Sequence, residues 1–507
     1  MKKANSTKRN VRSLSEAVCA AFVTLVGTAY LLAVPPYGYA GITKWKYGIF
    51  LPLFLVFAVL MIEQRLVGGQ ERLERRQVLD VFPLSLAAYF LFTCISGLVS
   101  RYPGTLLGWE RREGILTIGL YTAAAVALAW RLEAKKWMLY AFGGAVTLFC
   151  LFGSVQLAGA NPFLLYPEGM DFYDGGTLYM GQYWSTVGNV NLCAAVLSLA
   201  AGAFAAAAVR AGERRDWLCL IPMGLSVFFI LELDSEAGMA ALLGGFLLML
   251  PFVVTDGEAL GNLFFTYGTV LFALAASTAM LFDDGGAAFA PGKGTLLLCA
   301  GGAALLAGGA LWRRTPLLRR IRPAALRRFW SAFIIAVSAA GVLALYFYDG
   351  FGGGFLQQAH ELLHGRWDDT FGSNRLFIWR QCWALAGETP WFGGGPDTLG
   401  LRGLEGFSRY NEATGSVVAA SIDVAHNEYL NILVNQGAFA LAAYLTAIGA
   451  SLVRWWRSPG SRARAIAGAA ALFYLIQAFF GISMFLTAPY LWIALAVLNN
   501  KKLERKK

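Results

Sequence analysis

The sequence predicts an all-α protein, a polytopic bundle of about 14 transmembrane helices with both termini cytoplasmic and one large external loop. Three observations lead there. Only 14% of the residues are charged and 57% are hydrophobic, where a soluble protein carries about 25% charged residues. The apolar residues gather into runs close to the roughly 20 residues that cross a hydrocarbon core. Finally, about three quarters of the 42 Lys and Arg fall on one set of alternating loops, the bias that marks the cytoplasmic side.

Taken in order, the apolar runs are 17–35, 48–62, 80–99, 114–130, 137–157, 188–209, 217–233, 237–254, 263–281, 295–312, 330–348, 430–453, 466–483 and 485–498. The first follows a basic N-terminus, MKKANSTKRNVR, and is long enough to span, so it reads as an uncleaved helix rather than a signal peptide. The basic loops at 65–76, 131–136, 210–215, 313–328 and 454–464, with the two tails, then lie inside. The segments 100–113, 158–187, 282–294 and 349–429 lie outside. The chain therefore divides into an N-terminal membrane bundle (1–348), an external loop (349–429) and the C-terminal transmembrane helices with a basic tail (430–507).

The net charge of +11 belongs to the inner loops and implies no nucleic-acid partner; the surroundings of this protein are membrane lipids. Its 7 cysteines show no CxxC pair and no metal spacing. Six sit in apolar runs, where a thiol acts as a small hydrophobe, and Cys382 lies in the polar loop.

Chemistry concentrates in the external segments. GWERREGIL places Arg111 and Arg112 just before a membrane helix. An arginine fork grips phosphate in a bidentate way, although the same position suits a headgroup anchor. Arg375, in SNRLFIW, stands four residues before Trp379, a spacing that also fits cation–ring packing. His426 is one of only 3 histidines, and imidazole is the side chain best suited to move protons near neutrality. Asp423 lies three residues before it and could fix its tautomer; Glu428 lies two residues after. A helix cap is the structural alternative.

The remaining patterns are weaker. His360-Glu-Leu-Leu-His364 spells the zinc-peptidase HExxH, but no third ligand follows at a fitting distance and the flanks suggest a short exposed helix. The run PWFGGGPDTLG suits either an anion cradle of free N–H groups or a plain tight turn. The Tyr- and Asp-rich loop at 158–187 suits sugars or membrane anchoring. Asp234-Ser235-Glu236 puts acids near the outer membrane surface.

Five segments together resemble the O-antigen ligase/polymerase superfamily. They are GWERREGIL (108–116), TVGNVNLCAAVLSLA (186–200), DSEAGMAALLG (234–244), the SNRLFIW…PWFGGGPDTLG block (373–400) and AHNEYLNILVNQG (425–437). The resemblance implies a membrane glycosyltransferase acting on a polyprenyl-diphosphate-linked glycan at the outer face of the cytoplasmic membrane. It implies His426 and Arg375 as catalytic residues, and Arg111, Arg112, Asn189, Asp423 and Asn427 as substrate-binding ones. It implies no metal and no cofactor; the partners are the lipid-linked donor and a glycan, lipid or protein acceptor. One position departs from the family pattern: where many members read Ser-Arg-Gly, this chain has Ser235-Glu236-Ala237. A polymerase with the same chemistry is the nearest alternative. A transporter of lipid-linked glycans fits less well, because its helices should carry polar groups at mid-depth.

Overall fold

The computed structural model describes residues 2–67, 79–166, 173–174, 177–178, 183–283, 286–315, 321–348, 350, 354–411, 416–458 and 460–503. Residues 167–172, 175–176 and 179–182 of the aromatic loop, the loop at 68–78, the segment 316–320 and the last four residues are among those that lie outside the described residues.

Every apolar run expected to cross the membrane forms a helix. In chain order these are α1 (Lys2–Leu25), α2 (Ile42–Val67), α3 (Val81–Val99), α4 (Ile115–Arg131), α5 (Lys136–Leu157), α6 (Val190–Val209), α7 (Leu220–Glu232), α8 (Glu236–Leu248), α9 (Gly257–Ala279), α10 (Lys293–Arg314) and α11 (Pro323–Phe347). The polar region between α11 and the last helices adds α12 (Gly354–Leu363) and α13 (Phe371–Glu388), and the chain closes with α14 (Glu428–Arg457), α15 (Arg462–Gln477) and α16 (Ala488–Leu498). Among the described residues, 8 helices are long and apolar enough to cross a membrane. Shorter apolar helices fill in between them at Leu14–Tyr30, Ile115–Arg131, Glu236–Leu248 and Ala488–Leu498. The strands among the described residues form only two-stranded hairpins. The protein is a multi-pass all-α membrane bundle.

The bundle is organised around α6. From Leu192 to Val209 every residue is buried, and half are Ala, so neighbouring backbones come close. Small residues let membrane helices pack by van der Waals contact where no hydrophobic force separates protein from lipid. At Gly202 a Cβ would meet Phe473 of α15 at 2.7 Å. At the other extreme, α11 buries only 6% of its apolar span.

Helix α2 starts six residues before the expected run, which brings Lys46 inside the protein. Its ammonium donates to the carbonyls of Tyr30 (2.9 Å) and Leu31 (3.1 Å). These carbonyls end the π-helical turn Val26–Tyr30 that follows α1, and Thr186 also donates to Leu31. A widened turn frees carbonyls from the regular ladder, and a buried cation is tolerated where such groups receive it.

The two ends of the bundle differ. One end holds ion pairs between loop and helix-end charges: Arg454–Asp80 at 2.7 Å, Arg462–Asp216 at 2.7 Å, Lys136–Glu213 at 2.6 Å and Lys502–Glu16 at 2.7 Å. These residues belong to the loops expected inside. The opposite end carries the region expected outside, which has a small core of its own built from Ile378, Cys382, Leu399, Ile422, Ala425, Leu430 and Val434. Cys382, expected in a polar segment, is a buried member of that core because α13 turns its apolar face onto the start of α14.

Helix α14 is broken at Gly437, where φ is 87° and ψ is 175°. The Gly-rich turn after α13 docks into that break. Gly395 and Gly394 donate to the carbonyls of Asn435 (2.8 Å) and Val434 (3.2 Å), and Ala438 donates to Pro390 (2.8 Å). Helix α3 supplies a polar stripe to the same place: Ser96 donates to the Asn435 carbonyl (3.0 Å) and Ser100 to the Gly394 carbonyl (2.6 Å). Backbone groups freed inside a membrane protein must find partners within it, and here one broken helix and one loop satisfy each other. The turn's glycine N–H groups are therefore occupied, so it is not an anion cradle. A Cβ at Gly437 would collide with the Trp391 carbonyl, in a backbone region open only to glycine. Gly437→Ala is expected to cost at least about 1–3 kcal/mol, read as a lower melting temperature of the detergent-solubilised protein.

Candidate functional site

Four helices begin at the end expected outside, within reach of one another: α4 after Gly114, α6 after Asn189, α8 after Ser235 and α14 after Asn427. Each start carries the positive end of a helix dipole, which favours anions, although several of the first N–H groups are already taken, those of Ile115 and Leu116 by the Thr105 and Leu106 carbonyls and that of Glu428 by Ala478. Asn189 caps α6 by accepting from Asn191 (2.8 Å) and Leu192 (3.3 Å), and Asn427 caps α14 by accepting from Leu430 (3.0 Å). The Oδ1 atoms of both sequence-predicted asparagines are thus taken up by the caps.

The GWERRE segment is folded around a carboxylate from the Gly-rich turn. Arg111 N–H donates to Asp397 Oδ2 at 3.1 Å, and the N–H groups of Glu113 and Trp109 also favour its charged form. Burial nevertheless dominates and pushes the Asp397 carboxyl up to about 6. A Cβ on Gly108 would stand 2.6 Å from Asp397 Oδ2, so glycine is required for the wrap. The Arg111 side chain turns to Asp423, with Nε at 2.8 Å and Nη2 at 2.6 Å from the same oxygen. Arg112, with φ at 57°, makes no side-chain hydrogen bond or ion pair among the described residues.

Arg375 follows three residues in left-handed conformation, Gly372, Ser373 and Asn374, which swing the start of α13 toward the bundle. Its Nε donates to the Phe480 carbonyl (3.0 Å) and Nη1 to the Gly372 carbonyl (2.7 Å). Nη1 also lies 3.4 Å from Glu236 Oε2, and Nη2 lies 3.5 Å from Asn191 Oδ1. The side chain is 11% exposed. Burial lowers its proton affinity and Glu236 opposes that, while a guanidinium stays charged throughout the working range. Glu236 is thus a direct partner of Arg375.

Trp379 does not pack under Arg375. Its indole N–H donates to the Ala425 carbonyl at 2.9 Å and its ring lies along Phe480, pinning the loop that carries His426. His426 itself takes φ 48°. Its Nδ1 is buried with no hydrogen-bond partner among the described residues, so the expected Asp423–His426 hydrogen bond is not formed; Asp423 is committed to Arg111. Burial pushes the His426 imidazole down to about 4, Arg375 and Arg111 push the same way, and Asp423 opposes them. The ring is neutral at pH 7 and able to accept a proton.

His426 therefore lies within electrostatic reach of both Arg375 and the Arg111–Asp423 pair. Asn191 and Asp397 were not singled out in the sequence: one lies two residues past the asparagine that was, the other inside a glycine run whose turn chemistry hid it. The HELLH pair lies apart. His360 Nδ1 meets the Leu345 carbonyl at 2.7 Å and His364 Nδ1 the His360 carbonyl at 2.9 Å, while Glu361 pairs with Arg366. Among the described residues no three His, Cys, Asp or Glu converge in metal-binding geometry.

Residues 286–445 match a family model described as O-Antigen ligase, and no curated protein matches the chain at a significant level. The matched stretch contains Arg375, Asp397, Asp423 and His426 and stops short of Arg111 and Asn189. Members of this family are glycosyltransferase-like ligases and polymerases of the membrane. That match, over the stretch in which the α13 arginine, the Gly-rich turn and the His426 loop fold against one another, supports a place in the O-antigen ligase-like superfamily.

Proposed function

We propose that this protein transfers a glycan from a polyprenyl diphosphate to an acceptor hydroxyl, with inversion, at the outer face of the cytoplasmic membrane. The observation that carries this reading is a neutral, half-buried histidine whose Nδ1 is buried with no hydrogen-bond partner among the described residues, lying among arginines at a convergence of helix N-termini. In the reaction His426 accepts the acceptor's hydroxyl proton as the oxygen attacks the anomeric carbon. The C–O bond to the diphosphate breaks with its electron pair on the leaving oxygen. Arg375 and Arg111/Arg112 offset the charge that grows there, the kind of contact that counts most in a transition state. Arg112, with no side-chain hydrogen bond or ion pair among the described residues, is available to the diphosphate without breaking such a contact. Asp423 holds Arg111 in place.

The scheme uses no metal. The test is transfer from a polyprenyl-diphosphate glycan in reconstituted membranes, with and without EDTA. Transfer that survives EDTA and yields a single addition supports a ligase. A ladder of products assigns the same chemistry to a polymerase, and loss of transfer with EDTA overturns the metal-free scheme.

A further inference from the structure

Behind the Arg111–Asp423 pair lies a polar cavity of about 40 Å³, lined in part by Glu113, Asp397, Asp423 and Glu428. A water needs on the order of 10–15 Å³ measured this way, so the space suits about three waters. Glu428 is 6% exposed. Its Oε1 accepts from the Tyr444 hydroxyl. Its Oε2 is buried with no hydrogen-bond partner among the described residues, and the Ser483 hydroxyl, which also lines the cavity, interacts with the carboxyl. A buried oxygen left unmatched in a polar, roomy cavity points to bound water.

Charge in the cavity is out of balance. Arg111 is matched by Asp423, which leaves the carboxyls of Glu113, Asp397 and Glu428 facing one another. The other titratable groups around Glu428 are the hydroxyls of Tyr89, Tyr444 and Tyr474, with Tyr429 beside it. Tyr121 donates to Glu113 at 2.7 Å. Like charges enclosed together cannot all ionise. Burial pushes Glu113 well above the carboxylate range, and Asp397 adds to that. Both residues that couple His426 to this cavity, Arg111 and Asp423, are part of its lining.

We propose that the Glu428 cavity holds a water cluster and takes up the proton that His426 removes from the acceptor, sharing it with Asp397 and Glu113. This rests on the glycosyl-transfer reading above. Each transfer breaks one acceptor O–H bond and leaves one proton on His426. The diphosphate leaves carrying the electron pair of the broken C–O bond, and the proton passes to a carboxylate and then to the external water. The base is thereby neutral again for the next turnover.

The test uses the full-length protein in proteoliposomes and two readouts. The first is the infrared C=O stretch of protonated carboxylic acid, followed against pH without substrate. It is expected to titrate in the wild type, to lose amplitude in Glu428→Gln and to shift in Tyr444→Phe. The second is turnover. Glu428→Gln is expected to lower kcat on the order of tenfold, below the 10²–10⁴ of a general base itself, with donor KM unchanged and a larger D₂O effect. A Glu428→Gln protein with wild-type carboxyl titration and wild-type pH–rate profile overturns the proposal. If that variant does not fold, Tyr444→Phe decides: an unshifted band overturns it. If the band behaves as expected while His426→Ala stays fully active, the transfer reading falls and the proton site stands.

Discussion

His426→Ala is expected to lower glycan transfer by roughly 10²–10⁴ while the protein still inserts and folds. The histidine packs through its backbone position more than through its ring: Trp379 holds the preceding carbonyl and Asn427 caps the following helix, so removing the imidazole leaves both anchors intact. The pH dependence carries more information than the loss. With the imidazole held down to about 4, the ring is protonated only in acid below that value. The acid limb of kcat/KM, which reports free enzyme, should therefore lie far below the ordinary histidine value of about 6.5. Arg375 and Arg111 contribute to holding it down. A bound diphosphate offsets their charge, so the imidazole in the complex should gain proton affinity and the acid limb of kcat should move to higher pH. Activity within normal range in His426→Ala, or limbs that coincide, would count against a diphosphate seated among these arginines.

Arg375→Ala is expected to cost about 10²–10³ in kcat, the usual loss when a donor to developing charge is removed. Arg375→Lys should not restore it, because a point charge cannot reach Phe480, Gly372, Asn191 and Glu236 as a planar fork does. Glu236 sharpens this prediction. In the resting protein it stands 3.4 Å from the guanidinium, so an incoming diphosphate competes with a carboxylate. Glu236→Gln should lower donor KM several-fold and slow release of the diphosphate product. Steady-state and single-turnover kinetics separate the two effects, and an unchanged KM would show that Glu236 does not compete for the arginine.

The helices were legible because apolar run length and the spacing of basic loops are local properties, written in about 20 residues at a time. The candidate residues were legible because Arg and His stand out in an apolar chain. Their partners were not. Arg111 and Asp423 are 312 residues apart and Arg375 and Glu236 are 139 apart, and no periodicity connects them. The sequence also made Trp379 a ring for Arg375, since four residues is one helical turn. The left-handed residues before Arg375 turn its side chain into the bundle instead. The break in α14 was hidden too, because a glycine inside an apolar run reads as ordinary membrane helix until Pro390 and Trp391 are seen lying across it.

The central helix has a history that its final surroundings conceal. Helix α6 has the highest mean hydropathy of the 8 long helices, 2.2, and its apolar window is 100% buried, so in the finished protein it meets no lipid. Its most extensive neighbour, α15, lies more than 250 residues later in the chain. During synthesis, at roughly 5–20 residues per second, α6 therefore waits for many seconds in the bilayer with its alanine face uncovered. Its hydropathy serves that interval, and its small side chains serve the docking that ends it. Polar substitutions along α6 should then show first as failed assembly of the growing chain, before any effect on the mature enzyme can be measured.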